Sequence, residues 1–136
     1  MKVLIVGSNP STSSSTNSPF CVSTKSGIIL QEWMESVSDI PGIEFELANV
    51  SCKKTENNRP LRVSEIREAL PDLMARIGEI GPDKVVALGK TASKALKQCQ
   101  MEFFEMNHPS GLNRLNNDPQ YVAQKLKELR EFIESP

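Results

Sequence analysis

The chain is poor in metal-binding side chains. His108 is its single histidine, so no multi-histidine metal site can be assembled. Its three cysteines, Cys21, Cys52 and Cys99, are far apart, odd in number and never form Cys-x-x-Cys. That spacing gives no support to a zinc knuckle, an iron–sulfur cluster or a thioredoxin-type redox pair. It suits reduced thiols in a cytosol-like compartment. No apolar run approaches the roughly 18–20 residues needed to cross a bilayer, and the apolar start Met1–Val6 is too short for a secretory leader. Positive charge is not in excess either. With 16 basic and 17 acidic residues the formal charge is −1, unlike the basic balance of strong non-specific nucleic-acid binders.

What is present is an ordinary globular composition. A 38% hydrophobic and 24% charged chain of 136 residues implies one domain, residues 1–136, with room for a real core. Lys2-Val3-Leu4-Ile5-Val6, closed by Gly7, reads as a strand buried on both faces. A polar loop rich in Ser, Thr, Asn and Pro runs from Ser8 to about Thr24. Ile28, Ile29, Leu30, Trp33, Met34 and Val37 recur at helical spacing, and Pro41-Gly42 stops that helix. Ile43 to Ala48 reads as a second strand, followed by a polar loop from Asn49 to Pro60.

A second helix is expected near Ser64, which suits an N-cap, with Ile66, Leu70, Leu73, Met74, Ile77 and Ile80 as its buried stripe. Pro71 lies inside that stripe and predicts a kink or break; Gly81-Pro82 ends the helix. Lys84 to Leu88 is a third buried strand, Thr91 to Cys99 a short helix, and Glu102 to Met106 a fourth strand. After a loop from Asn107 to Asn117, Asp118-Pro119 supplies an N-cap and a proline at the first helical position. Tyr121, Val122, Leu126, Leu129 and Ile133 face the core from this last helix.

Alternating strands and helices imply an α/β fold: a three-layer α/β/α sandwich around a four-stranded parallel sheet. Ligands in such folds bind outside the carboxyl ends of the strands. Loops 8–24, 49–63 and 107–117 all follow strands, so they are expected to build one site.

Several tempting motifs fail. Gly89-Lys90-Thr91 resembles the end of a phosphate-binding P-loop, but Lys84 stands where that motif needs glycine. The turn therefore reads as a strand–helix junction. No Gly-x-Gly-x-x-Gly and no Gly-x-Ser-x-Gly elbow occur, which disfavours a dinucleotide binder and a serine hydrolase. Asn49-Val50-Ser51 matches a glycosylation acceptor but has no secretory context.

What remains is a set of strand-end segments: Gly7-Ser8-Asn9-Pro10-Ser11, Pro19-Phe20, Asn49-Val50-Ser51 with Asn58-Arg59-Pro60, Val85 to Ala92, and His108-Pro109-Ser110-Gly111-Leu112-Asn113-Arg114. In this order they resemble the uracil-DNA glycosylase superfamily. Gly7 to Ser11 is similar to the Gly-x-Asn-Pro-Gly motif of the mismatch-specific and single-strand-selective branches, with Ser11 in place of the second glycine. Pro19-Phe20 sits where those branches place a stacking aromatic. The middle of the chain resembles the thermostable iron–sulfur branch, without its cluster-binding cysteines, so no cofactor and no metal are expected. His108 to Arg114 resembles the second catalytic motif, His/Asn-Pro-Ser-Gly-x-Asn-Arg, nearly letter for letter.

The resemblance implies a monofunctional glycosylase excising uracil or a related pyrimidine from DNA. Asn9 and His108 would be catalytic: Asn9 orients the attacking water, and His108 donates to the pyrimidine O2 as negative charge develops there. Pro10, Phe20, Asn49 and Ser110 would bind the substrate base, with Phe20 stacking on it and the Asn49 amide matching O4 and N3–H of uracil. Gly111, Leu112, Asn113 and Arg114 would engage DNA, Leu112 as a wedge in the base stack unless it packs on Phe104. The same residues have plainer readings: a turn at Asn9-Pro10, a core aromatic at Phe20, a loop cap at Asn49. The expected partner is DNA containing uracil or a modified pyrimidine, met by a monomer in the cytoplasm of a bacterium or virus-infected cell, with no membrane. Alternatives are a non-catalytic DNA- or modified-base-binding module of the same fold and a hydrolase of free nucleotides. Lys25, Lys53, Lys54, Arg59, Arg62, Lys90 and Arg114 lie in or beside the strand-end loops, whereas Glu128, Glu131 and Glu134 lie on the last helix. This distribution predicts a basic mouth on an acidic body.

Overall fold

The computed structural model describes residues 1–9, 25–51, 55–56, 59–109 and 117–135. Strands β1 (Lys2–Gly7), β2 (Glu44–Asn49), β3 (Lys84–Leu88) and β4 (Phe104–Met106) alternate with helices α1 (Lys25–Ser36), α2 (Val63–Ile80), α3 (Lys90–Gln98) and α4 (Pro119–Glu134). The strands form one parallel sheet in the order β2-β1-β3-β4. The chain moves outward from β1 to β2, then crosses back over β1 to reach β3. That reversal leaves a crevice between the carboxyl ends of β1 and β3, where open parallel sheets bind ligands.

The strand runs are continuously apolar because both faces of the sheet are covered. Successive side chains of β1 point to opposite faces, and each set meets its own pair of helices. Leu4 and Val6 pack with Ala48, Val85 and Ala87 against Ile66, Leu73 and Ile77 of α2 and Ala92, Ala95 and Leu96 of α3. Val3 and Ile5 pack with Val86, Leu88 and Met106 against Leu30, Trp33 and Val37 of α1 and Leu129 and Ile133 of α4. Ile133 is completely buried in this second layer. Ile133→Ala should therefore cost about 2–5 kcal/mol, seen as a lowered urea midpoint with an unchanged m-value.

The helix boundaries differ from the sequence expectations in instructive ways. Helix α2 starts one residue before Ser64, with Arg62 at the N-cap; Glu65 Oε1 accepts the Arg62 backbone N–H at 2.8 Å, so a carboxylate in the first turn caps in place of a hydroxyl. The expected break at Pro71 is absent, and α2 continues to Ile80. Pro71 lies on the exposed side of a helix anchored by buried residues before and after it. Met74, expected in the buried stripe of α2, is 54% exposed, and Ile28, one of the apolar residues recurring at helical spacing in α1, is 51% exposed. A narrow stripe suffices where one helix face meets a flat sheet, and these two residues fall outside it. Strand β2 runs one residue further than expected, to Asn49, and β4 begins at Phe104 instead of Glu102. Asp118 caps α4 as the sequence indicates, its carboxylate accepting from the Gln120 and Tyr121 N–H groups. Among the described residues, no helix is long and apolar enough to cross a membrane.

Candidate functional site

The ends of all four strands meet at one edge, tied together by backbone hydrogen bonds that continue beyond the regular ladders. Gly7 pairs with Asn49 in register. Val50 N–H donates to the Gly7 carbonyl at 2.8 Å and Ser51 N–H to the Ser8 carbonyl at 3.0 Å. Asn9 therefore emerges from β1 on a backbone already fixed against β2. The Ser8 hydroxyl donates to Asn9 Oδ1 at 2.8 Å, which restrains rotation of the Asn9 amide.

On the other side of the crevice, Gly89 N–H donates to the Met106 carbonyl at 2.9 Å, joining the β3–α3 turn to the end of β4. Two residues later comes His108, packed directly on that turn: a Cβ built on Gly89 would stand 3.2 Å from His108 Cβ. The flanking residues are also held. Asn107 Oδ1 accepts from the Tyr121 hydroxyl at 3.2 Å, and Pro109 is fully buried. Burial disfavours the charged imidazole and holds the His108 pKa below its ordinary value of 6.5. The imidazole at this edge is thus neutral at pH 7, able to donate one N–H without carrying charge.

This burial has a consequence for stability. As pH falls below 6.5, the unfolded chain takes up a proton at His108 that the folded protein resists, so stability must fall. Compared with His108→Gln, the wild type should lose stability below pH 6.5, with an added slope of at most about 1.4 kcal/mol per pH unit. Above pH 7 the two stabilities should run parallel in urea unfolding.

Of the other expected site residues, Asn49 lies at the end of β2, half-buried. Its neighbours Ala48 and Val50 belong to the layer covered by α2 and α3, and Asn49 itself borders a groove against α2. Asn49 and His108 follow strands three positions apart in the sheet, about 14 Å at the usual strand spacing. Pro10, Phe20, Ser110, Gly111, Leu112, Asn113 and Arg114 lie outside the described residues. Phe104, the alternative packing partner for Leu112, is already engaged: its ring centroid is 5.4 Å from that of Phe132, and Lys125 Nζ lies 5.0 Å from it.

Of the cations expected at the mouth, Lys53, Lys54 and Arg114 lie outside the described residues; among the described residues the charge is mixed. Arg59 forms a two-pronged pair with Glu65, at 2.7 and 3.2 Å, and its backbone carbonyl accepts from the buried Thr55 hydroxyl at 2.6 Å. It braces the loop before α2. An open groove of about 360 Å³ beside Asn49 is walled by Glu65, Glu68 and Asp72, with Arg76 opposing them. On α4, Glu128 lies 3.8 Å from Lys125 and Glu134 3.8 Å from Arg130, so two of the acids assigned to the acidic body have cationic neighbours. The described mouth is mixed in charge.

A family model for the uracil DNA glycosylase superfamily matches residues 1–130. The chain belongs to this superfamily. No curated protein matches it significantly. Superfamily membership agrees with the parallel four-stranded sheet and with a site on its carboxyl edge. It also makes DNA the substrate class and base excision the general activity to which this chain is related. Sequence reasoning overlooked the contacts made by Gly89 and Tyr121 at this edge. A glycine directly after a buried strand was the available signal for the first; nothing in the sequence links Tyr121 to Asn107.

Proposed function

We propose that the protein is a monofunctional DNA glycosylase that takes uracil or a related modified pyrimidine out of the base stack and hydrolyses its N-glycosidic bond. The observation that supports this most directly is the half-buried, neutral His108 seated on Gly89, across the β1/β3 crevice from the strand that leads to Asn9. In the reaction the bond from C1′ to N1 of the base breaks, and its electron pair leaves with the pyrimidine. The negative charge reaches O2, where the His108 N–H donates. A charge-free donor already held in place stabilises a developing anion without any reorganisation at the moment of reaction.

Water supplies the oxygen that joins C1′. Asn9 orients it, and its lost proton passes to solvent or to the departing base. An amide is a poor general base, so the sugar must already carry most of the positive charge when water adds. Phe20 stacks on the extruded base, Asn49 reads O4 and N3–H, and Pro10 and Ser110 complete the pocket. Gly111, Leu112, Asn113 and Arg114 hold the DNA and fill the space the base vacates. No lysine is assigned to a Schiff base, so the product is an intact strand with an abasic sugar.

One domain acting as a monomer suffices for this reading. The test is a base-excision panel on single-stranded and mispaired oligonucleotides carrying uracil, hydroxymethyluracil, hypoxanthine or mismatched thymine. Release of at least one pyrimidine, without strand cleavage, is expected. Tight binding to all of them with no release would instead identify a DNA-binding module.

A further inference from the structure

We propose that Gly89 is a positioning residue for His108, and that its missing side chain is the requirement. The geometry is a three-sided clamp. The Gly89 N–H is held by the Met106 carbonyl at 2.9 Å. The Gly89 carbonyl accepts from both the Ser93 N–H at 3.2 Å and the buried Ser93 hydroxyl at 2.9 Å. With both backbone groups fixed, the Gly89 Cα cannot withdraw from its neighbour. His108 closes onto it, its Cβ 3.2 Å from where a Gly89 Cβ would stand and its backbone N and Cα at 3.7 and 3.8 Å.

Two independent features make glycine necessary at this point. The close approach is tight: to admit a methyl group, His108 Cβ would have to give way by a few tenths of an ångström. The backbone φ of +88° also lies where side chains are rarely tolerated. Any other residue must push His108 away, open the turn, or both. His108 follows β4, two strands away from β1; its seat on the end of β3 is what carries it toward the crevice. The contact therefore fixes the base of the imidazole, and displacing it would let more water in around the ring.

This inference rests on the reading of His108 as the donor to the leaving base, yet its geometric half can be tested without any activity. Because the chain has one histidine, imidazole resonances in an NMR titration report on His108 alone. In Gly89→Ala, the His108 midpoint should rise toward 6.5, and kcat for base release should fall about 10²-fold with KM little changed. Ser93→Ala removes one of the two bonds on the Gly89 carbonyl and leaves the helix intact, so it should shift the midpoint in the same direction by less. Gly78→Ala, on the α2 surface with nothing within 4 Å of the added carbon, should change neither quantity. If Gly89→Ala does not fold, the Ser93→Ala titration decides. An unmoved His108 midpoint in Ser93→Ala and in any folded Gly89→Ala overturns the proposal, and so does a folded Gly89→Ala that releases base with the wild-type kcat. A shifted midpoint in a protein that releases no base upholds the placement and refutes the glycosylase reading.

Discussion

Replacing His108 with alanine should slow base release about 10²–10³-fold, with the protein folded and still able to bind DNA. The size follows from what the side chain does. A preorganised donor to a developing oxyanion contributes roughly 3–4 kcal/mol to the transition state and little to the ground state, where O2 carries only a carbonyl's partial charge. The loss should therefore appear in kcat, with KM almost unchanged. His108→Gln separates the parts of this argument. It keeps an N–H donor but loses the titratable ring, so it should recover part of the rate and none of the pH-dependent stability. Stopped single-turnover assays with a uracil-containing oligonucleotide measure the chemical step directly. Equal single-turnover rates for wild type and His108→Ala would remove His108 from the mechanism.

Whether an element was legible in the sequence depended on whether its cause was local. The strands β1 and β3 announce themselves because burial on both faces leaves no polar position in Val3–Val6 or Val85–Leu88. The start of α4 is equally plain, since Asp118 and Pro119 act on their immediate neighbours. No break occurs at Pro71 because its cost is local while the forces that keep α2 continuous are tertiary: Ile66, Leu73 and Ile77 are all anchored in the same layer. The hydrophobic period overstated burial at Met74, where the stripe was wider than the surface available to cover it. Asn9, Asn49 and His108 were singled out from short motifs at strand ends, and the fold places all three at the carboxyl edge of the sheet. The setting of His108 was not legible, because its neighbour Gly89 is distant in sequence and silent in chemistry. Charge showed the same limit. A net of −1 counts Arg59 and Glu65 as two separate residues, whereas in the fold they are one ion pair and one loop brace. Removing Arg59 from the cations free to meet phosphate lowers the expected slope of DNA affinity against salt, and leaves specificity to the flipped base.

The second large effect is expected at Asn9, and its sign can be made to reverse. Asn9→Ala removes the group that orients water, and base release should fall by about 10²-fold. Orientation alone acts through geometry, so this loss should be nearly independent of pH between 6 and 9. Asn9→Asp keeps the size of the side chain and the acceptor for the Ser8 hydroxyl, now 2.8 Å from Oδ1, while replacing an amide with a carboxylate. A carboxylate can take a proton from water and can stabilise positive charge on the sugar, effects together of about 10²–10⁴ in general base catalysis. If water is held at Asn9, Asn9→Asp should therefore release base faster than wild type, and the gain should vanish as the new carboxyl is protonated at acid pH. If Asn9 is only a turn residue preceding Pro10, alanine and aspartate should behave alike in single-turnover assays, and both should change thermal stability more than rate. The pair of variants thus distinguishes a water-holding amide from a structural one by opposite directions of effect.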